Sequence, residues 1–301
     1  MRRMFRAAAA LFVVAAAMSG ATRADELNVS TPDGVRSAIL LPARYPRAPT
    51  VVVLHGALVT AESTVSWYGF GEAARRRGFA AVFPRGVNML WNDGRAAAWA
   101  SGADDVAFLR QLARDLVTLG TADPARLYLI GVSNGGMMAL RMLCEAPEPF
   151  AGAGVIIASM PETVGATCRL RRPMPVIMFN GTADTIVPYG GGELGFSGLQ
   201  DRVWPVERTA TFLARGNGCA RGSKAVVASG GTETGGGIKI VRLDWSACSS
   251  GRGVTLYRVE RGGHQVYGHT NYVPMFLGPG TDRISAPGTI MAAFSEKRPP
   301  P

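Results

Sequence analysis

The segment that most constrains the fold is Gly131-Val132-Ser133-Asn134-Gly135. It follows an apolar run at residues 127–130 and precedes a helix-forming run at residues 137–143. A serine between a strand and a helix lies on a sharp turn, and glycines two residues away on each side prevent side-chain clashes there. The turn exposes the serine hydroxyl and directs the first helical N–H groups to the same point, where they stabilise a negatively charged oxygen. The alternative is a glycine-rich helix start with a capping serine.

The rest of the chain alternates short apolar runs with helical patterns, which is typical of a parallel sheet covered by helices. We predict strands at residues 37–41, 50–54, 80–83, 127–130, 154–157, 176–180, 238–243 and 254–259, and helices at 62–77, 104–119, 134–144, 205–217 and 287–294. The glycine-rich stretch 230–237 predicts an exposed hairpin or flexible loop. Together with the strand–serine–helix turn, this order predicts an α/β-hydrolase fold, with a mostly parallel central sheet flanked by helices. We expect residues 25–297 to form a single domain.

Residues 1–24 have the pattern of an export signal. Arg2, Arg3 and Arg6 form a basic start, an apolar core follows at residues 7–18, and small residues at 21 and 24 offer cleavage sites. The core is too short to span a bilayer, so we expect a secreted or periplasmic protein without a membrane span.

Cleavage after residue 24 would lower the net charge from +10 to +6. The other basic residues accompany no nucleic-acid-binding motif, so no nucleic-acid partner is expected. The tail 298–301 is expected to be disordered, and the oligomeric state stays open.

Four cysteines in an exported chain predict two disulfides, for which three connectivities exist. We favour Cys144–Cys168 and Cys219–Cys248, because each pair closes a local loop of moderate length. The cysteine spacings match no zinc-ligand pattern, and the three histidines form no H-E-x-x-H motif. We therefore expect neither a metal site nor a cofactor.

A serine hydroxyl becomes a strong nucleophile only when a base takes its proton, and the base is usually a histidine oriented by a carboxylate. In α/β-hydrolases these residues follow in the order Ser, Asp or Glu, His, each on a loop after a strand. Two histidines lie downstream of Ser133. His264 follows a predicted strand within a glycine-rich loop and is the favoured base. His269 is the alternative, although a polar loop residue describes it better.

Asp184 is the favoured carboxylate, because it follows the predicted strand 176–180 through a turn. A turn-forming aspartate is its other interpretation. Asp201 and Asp244 are rivals, but Asp201 lies in no loop after a strand and Asp244 comes late, near a cysteine.

An oxyanion hole needs two backbone N–H donors. The residue after the nucleophile, Asn134, supplies the first. The second is expected from the loop after an early strand, where we assign Ala57 and keep Leu58 as its competitor. His55 precedes both and is interpreted as a scaffold residue of this turn.

With these residues, the chain resembles the polyhydroxybutyrate depolymerase-like esterases, a branch that includes secreted feruloyl and acetylxylan esterases. The resemblance runs from about residue 50 to 294 and rests on matching segments at residues 54–56, 90–94, 104–109, 131–138, 180–184 with 187–189, 217–219 and 262–264. The run Ser-Asn-Gly-Gly-Met-Met is its most specific part. The resemblance implies catalytic roles for Ser133, Asp184 and His264, and disulfides at the positions favoured above.

Two segments depart from the family pattern. The loop after Gly56 is usually richer in glycine, and the segment after the histidine usually reads Thr-Trp-Pro-Gly, whereas residues 265–268 read Gln-Val-Tyr-Gly. Both lie at the expected acyl pocket. Trp91 and Tyr267 are therefore candidates for lining it, with core packing as the alternative for either.

These features predict a secreted serine carboxylic-ester hydrolase that acts through an acyl-enzyme. Its expected partner is an ester substrate, with short polyester chains such as 3-hydroxybutyrate oligomers ranked first and plant cell-wall feruloyl or acetyl esters second. A serine peptidase and a non-catalytic envelope binding protein are the less favoured alternatives.

Overall fold

The computed structural model describes residues 24–95, 102–195, 201–220, 222–229, 237–268 and 274–296. The predicted export signal up to residue 23, loop residues 230–236, His269 and the tail lie outside these ranges. The strands are β1 (Asp25–Thr31), β2 (Gly34–Leu41), β3 (Ala48–Leu54), β4 (Ala80–Pro84), β5 (Ala122–Val132), β6 (Gly152–Ile156), β7 (Val176–Gly181), β8 (Gly192–Glu193), β9 (Arg202–Val203), β10 (Lys224–Ser229), β11 (Lys239–Trp245) and β12 (Val254–Glu260). The helices are α1 (Ala61–Trp67), α2 (Phe70–Arg76), α3 (Asp105–Thr118), α4 (Asn134–Glu145), α5 (Glu162–Thr167), α6 (Val206–Gly216), α7 (Pro274–Leu277) and α8 (Ala286–Glu296).

Ten of these strands form one sheet, in the order β1-β2-β4-β3-β5-β6-β7-β12-β11-β10. The pairings from β4 through β3, β5, β6 and β7 to β12 are all parallel, and antiparallel pairs extend the sheet at both edges. The predicted fold class, a mostly parallel sheet flanked by helices, is confirmed. Parallel strands end at the same edge of a sheet, so the loops after β3, β5, β7 and β12 meet there.

The helices are held by burial of one apolar face. In α3, the Asp104 carboxylate caps the helix by accepting a hydrogen bond from the Ala107 N–H, and the buried residues recur at helical spacing from Phe108 to Leu116. Truncating one such buried leucine to alanine typically costs about 2–5 kcal/mol. Within the described residues, no helix combines the length and the apolar character that crossing a membrane requires.

The structure differs from the sequence-based elements in one predicted helix and in several elements that had not been predicted. The predicted helix 62–77 is two helices, because Gly69 adopts a left-handed conformation with φ 69° and turns the chain between α1 and α2. The strands β1, β8, β9 and β10 and the helices α5 and α7 had not been predicted. β1 and β10 lie at the edges of the sheet and carry largely exposed side chains, and each of the other four elements has only two to six residues.

Both favoured disulfides are present. Cys144 near the end of α4 is bonded to Cys168 directly after α5, and Cys219 after α6 is bonded to Cys248 in the β11–β12 connection. In the chain-entropy model, each loop of this length contributes about 3–4 kcal/mol.

Candidate active site

Ser133 stands on a strained turn between β5 and α4. Its φ is +54°, in a region that non-glycine residues rarely adopt. A Cβ on Gly131 would collide with the backbone of Gly135, and a Cβ on Gly135 would collide with the carbonyl groups of Leu54 and His55. The glycines on both sides of the serine are therefore required by close backbone packing, as the motif predicts.

The structure brings Ser133, His264 and Asp184 together in a hydrogen-bonded chain. The His264 Nε2 lies 2.9 Å from the Ser133 Oγ, and the His264 Nδ1 lies 2.8 Å from the Asp184 Oδ2. Asp184 follows β7 and His264 follows β12, and these strands are parallel neighbours, so the two loops lie side by side. With Nδ1–H donating to the carboxylate, Nε2 is free to accept the serine proton.

Backbone groups hold the acid and the base in place. The other Asp184 oxygen, Oδ1, accepts hydrogen bonds from the N–H groups of Ile186 and Val187, at 2.9 and 2.8 Å. The His264 N–H donates to the carbonyl of Leu277, at 2.6 Å. The histidine and the aspartate are both buried, so this arrangement is fixed by the fold before any substrate binds.

The rival acids lie elsewhere. The Asp201 carboxylate lies 3.8 Å from the Arg95 guanidinium, and the Asp244 carboxylate binds Arg242 and Thr255. Neither makes a hydrogen bond with His264 among the residues that the structure describes.

The two expected oxyanion donors lie on neighbouring loops, one after β5 and one after β3, which are adjacent parallel strands. Asn134 is the first residue of α4, so its N–H has no acceptor within the helix. The Leu58 N–H donates to the Met89 carbonyl at 3.0 Å and is already engaged. Within the described ranges, by contrast, the Ala57 N–H has no hydrogen-bond acceptor. This geometry favours Ala57 over Leu58 as the second donor.

His55 braces the loop that carries Ala57. Its Nδ1 lies 2.8 Å from the Gly56 carbonyl, and its Nε2 accepts a hydrogen bond from the Gly86 N–H at 3.0 Å. The acceptor role of Nε2 places the single ring proton on Nδ1. Burial lowers the pKa of His55, which keeps the ring neutral. The scaffold role predicted for this histidine agrees with these contacts.

A buried polar network behind the turn was missed by the sequence analysis. The Asn134 side chain accepts from the Trp91 N–H at 2.8 Å and donates to the Trp91 carbonyl at 3.0 Å and to the Asp93 carboxylate at 2.6 Å. Asp93 is only 1% exposed and pairs with the buried Arg95 at 2.8 Å. The only sequence signal was the motif Trp91-Asn92-Asp93-Gly94, whose link to Asn134 depends on a contact across 41 residues of chain.

A cavity of about 440 Å³ opens beside Ser133. Its walls are mainly aliphatic, and they are formed by Gly56, Ala57, Leu58, Val59, Tyr68, Leu90, Val132, Ile157, Ile186, His264, Val266 and Leu277 in addition to the serine. Its apolar walls favour an apolar ligand, because few polar groups there can replace lost water contacts.

Trp91 and Tyr267, the two candidates for lining this cavity, are not among the residues that form its walls. Both are almost fully buried, which favours the alternative of core packing. The Trp91 indole N–H donates to the His55 carbonyl at 3.0 Å, and its ring stacks near Phe108. The Tyr267 hydroxyl donates to the Gly263 carbonyl at 2.8 Å. Each aromatic therefore finds a backbone partner for its polar group in the core, which makes both structural residues.

A serine on a strained turn, hydrogen-bonded to a histidine and an aspartate at the edge of a mostly parallel sheet, is the arrangement of serine hydrolases with the α/β-hydrolase fold. The solved acetyl xylan esterase from Aspergillus awamori has this fold in common with the chain, with a TM-score of 0.56 and 13% identity over 78% of this chain and 92% of that one. This likeness concerns the fold alone.

Sequence comparison finds relatives among esterases and depolymerases. The putative esterase NocK of Nocardia uniformis subsp. tsuyamanensis is 29% identical over 91% of this chain and 79% of its own length. The feruloyl esterase B of Piromyces equi is 29% identical over 48% of this chain, and the poly(3-hydroxybutyrate) depolymerase of Ralstonia pickettii is 26% identical over 64% of it. The chain spans 28% and 46% of those two relatives, respectively. No family model matches the sequence. These relatives are named as esterases and a depolymerase, so the resemblance to the polyhydroxybutyrate depolymerase-like and feruloyl esterases is confirmed, and the protein is a serine hydrolase that acts on carboxylic ester bonds.

Proposed function

We propose that the protein hydrolyses carboxylic esters through an acyl-enzyme on Ser133. The observation that carries this proposal is the chain of hydrogen bonds from Ser133 through His264 to Asp184, at 2.9 and 2.8 Å, beside an apolar cavity. His264 takes the serine proton while Oγ attacks the ester carbonyl carbon, and the imidazolium then protonates the departing alcohol. Water, activated by the same imidazole, cleaves the acyl-enzyme and releases the carboxylic acid.

The N–H groups of Asn134 and Ala57 stabilise the negative oxygen of each tetrahedral intermediate. Asn134 begins α4, so the positive end of the helix dipole adds to its donor. Loss of one such donor typically costs about 2.7–4 kcal/mol of transition-state stabilisation. Asp184 orients the imidazole and stabilises its protonated form, and its two backbone contacts support this role.

The preferred substrates are esters with short, mainly apolar acyl groups, of which 3-hydroxybutyrate oligomers rank first. Among the described residues that line the cavity there is no lysine or arginine, so an anionic acyl group would lack a partner. The related depolymerase of R. pickettii supports this ranking. Feruloyl or acetyl esters of plant cell walls are the second candidate, because a cavity of this size also admits an aromatic acyl group and a relative is named feruloyl esterase B.

An extracytoplasmic site of action fits this function, since polymeric esters do not enter cells. The two disulfides support it, because disulfides persist mainly in oxidising compartments. An N-terminal sequence of the mature protein that begins at Asp25 would agree with export and cleavage after residue 24.

The test is an ester panel measured with the purified protein and with Ser133→Ala. The panel contains alkanoyl esters of increasing length, 3-hydroxybutyrate oligomers and methyl ferulate. We expect hydrolysis by the wild-type protein and a loss on the order of 10⁶ in kcat for the variant. Retention of more than about a hundredth of the activity by the variant would show that Ser133 is not the nucleophile.

A further inference from the structure

The cavity wall contains a tyrosine that neither the proton relay nor the oxyanion hole uses. Tyr68 directly follows α1, at the point where Gly69 turns the chain into α2. Its half-buried ring packs on the apolar cluster beneath the cavity and forms part of the cavity wall. Tyr68 thus brings a phenol group to a surface that is otherwise mainly aliphatic.

The Tyr68 hydroxyl has no protein partner within the described part of the chain. The hydroxyl oxygen is not fully enclosed by protein, so it meets open space. Tyr128 and Tyr267, by contrast, donate their hydroxyl protons to the carbonyls of Phe294 and Gly263. A hydroxyl without a hydrogen-bond partner in an apolar wall raises the free energy of the folded protein unless a ligand or water accepts its hydrogen bond.

The protonation state of Tyr68 makes it a donor. Burial raises the pKa of Tyr68 to about 12, so the phenol keeps its proton at any pH at which an imidazole base works. The ligand group that binds the Tyr68 hydroxyl must therefore be a hydrogen-bond acceptor, such as a hydroxyl, ether or carbonyl oxygen.

The acyl group is the part of the substrate that this cavity holds longest. The alcohol leaves in the first half-reaction, whereas the acyl group stays bonded to Ser133 until water releases it. Since Ser133 opens into the cavity that Tyr68 lines, the acyl chain occupies that space during both steps.

We infer that Tyr68 is a specificity-determining residue whose hydroxyl donates a hydrogen bond to an oxygen atom on the substrate's acyl chain. The site then selects apolar acyl groups that carry such an oxygen over the corresponding plain alkanoyl or cinnamoyl groups. This inference rests on the proposed ester hydrolysis at Ser133. It covers both 3-hydroxyalkanoyl and hydroxycinnamoyl esters, because both combine an apolar skeleton with an additional oxygen.

Two matched pairs of methyl esters distinguish the 3-hydroxyalkanoyl from the hydroxycinnamoyl class: 3-hydroxybutanoate against butanoate, and ferulate against cinnamate. For each pair, the ratio of kcat/KM for the oxygen-bearing ester to kcat/KM for the plain ester is measured by titration of the released acid. In the wild-type protein, at least one ratio should exceed one. In Tyr68→Phe, that ratio should fall by about 3- to 10-fold, the effect of one lost neutral hydrogen bond. The pair that responds identifies the class of acyl group.

Tyr128→Phe is the matched control, because it removes a phenol hydroxyl that is bonded to the Phe294 carbonyl in the core and does not line the cavity. It should leave both ratios unchanged. Active protein whose ratios are the same in the wild type and in Tyr68→Phe would overturn the inference alone. Wild-type protein that hydrolyses none of the four esters would overturn the proposed function, and the inference with it.

Discussion

The buried pair of Asp93 and Arg95 is expected to position the oxyanion donor at Asn134. The Asp93 carboxylate accepts a 2.6 Å hydrogen bond from the Asn134 side chain, and the adjacent backbone N–H is a proposed donor to the oxyanion. In Asp93→Asn, the charge is lost while the shape is kept. The Asp201 carboxylate stays 3.8 Å from the Arg95 guanidinium, so the loss of stability should be smaller than the about 3–5 kcal/mol that is typical when the remaining buried charge has no partner. Loss of the full oxyanion donor would cost about 2.7–4 kcal/mol of transition-state stabilisation. A displaced donor should therefore lower kcat by about 10- to 100-fold.

Asp105→Asn is the matched control, because it neutralises a second buried aspartate, at the start of α3. Asp105 is buried, pairs with Arg36 at 2.8 Å and accepts from the Asn92 N–H at 2.7 Å, and no hydrogen bond joins it to Asn134 within the described chain. Burial raises the pKa of Asp105 despite this pairing, so replacing its carboxylate by a neutral amide removes a charge that burial disfavours.

The assay compares kcat, KM and the affinity for a boronic acid that mimics the tetrahedral intermediate, at a temperature where both variants are folded. We expect Asp93→Asn to lower kcat and boronate affinity together with little change in KM, and Asp105→Asn to change neither. Equal losses of kcat and of boronate affinity in both variants would mean that the loss of a buried charge, and not the contact between Asp93 and Asn134, lowers activity. An unchanged kcat in Asp93→Asn would refute the positioning role.

Two further predictions concern the frame of the site. Burial lowers the pKa of His55, so this residue binds a proton more readily in the unfolded chain than in the native protein. The contribution of His55 to the free energy of unfolding should therefore be constant above about pH 6.5 and fall below it, by at most about 1.4 kcal/mol per pH unit. Urea unfolding between pH 5 and 7 should show a shallower slope for His55→Gln, and an identical slope would contradict the assignment. Gly135→Ala should lower both Tm and kcat, because the added Cβ meets the carbonyls of Leu54 and His55, with about 1–3 kcal/mol lost if the backbone shifts. Gly190→Ala, where a Cβ meets open space, should change neither, and differential scanning calorimetry with an esterase assay distinguishes the two outcomes.

The turn at Ser133 could be predicted because the residues that specify it are close together in the sequence. An apolar strand, two glycines and a helix-forming run specify the strand–turn–helix within about 17 residues of sequence. The same holds for Asp184 and His264, since each follows its strand within a few residues and adjacent parallel strands end at one edge. That the three side chains meet follows from the order of the strands.

The cavity and its supports could not be predicted, because they depend on contacts between distant segments. Trp91 and Tyr267 were candidates for the pocket with core packing as the alternative, and both are buried with backbone partners that the sequence does not reveal. The contact between Asp93 and Asn134 is a similar case. Tyr68 lay inside a predicted continuous helix, and only the left-handed Gly69 brings it to the cavity wall.

The most direct test of the central claim is to trap the acyl-enzyme. The protein is mixed with p-nitrophenyl butanoate, quenched in acid during turnover, digested and mapped by mass spectrometry. The account predicts one butanoyl group, on Ser133, and none in Ser133→Ala. A butanoyl group on another residue, or turnover by Ser133→Ala at the wild-type rate, would contradict it.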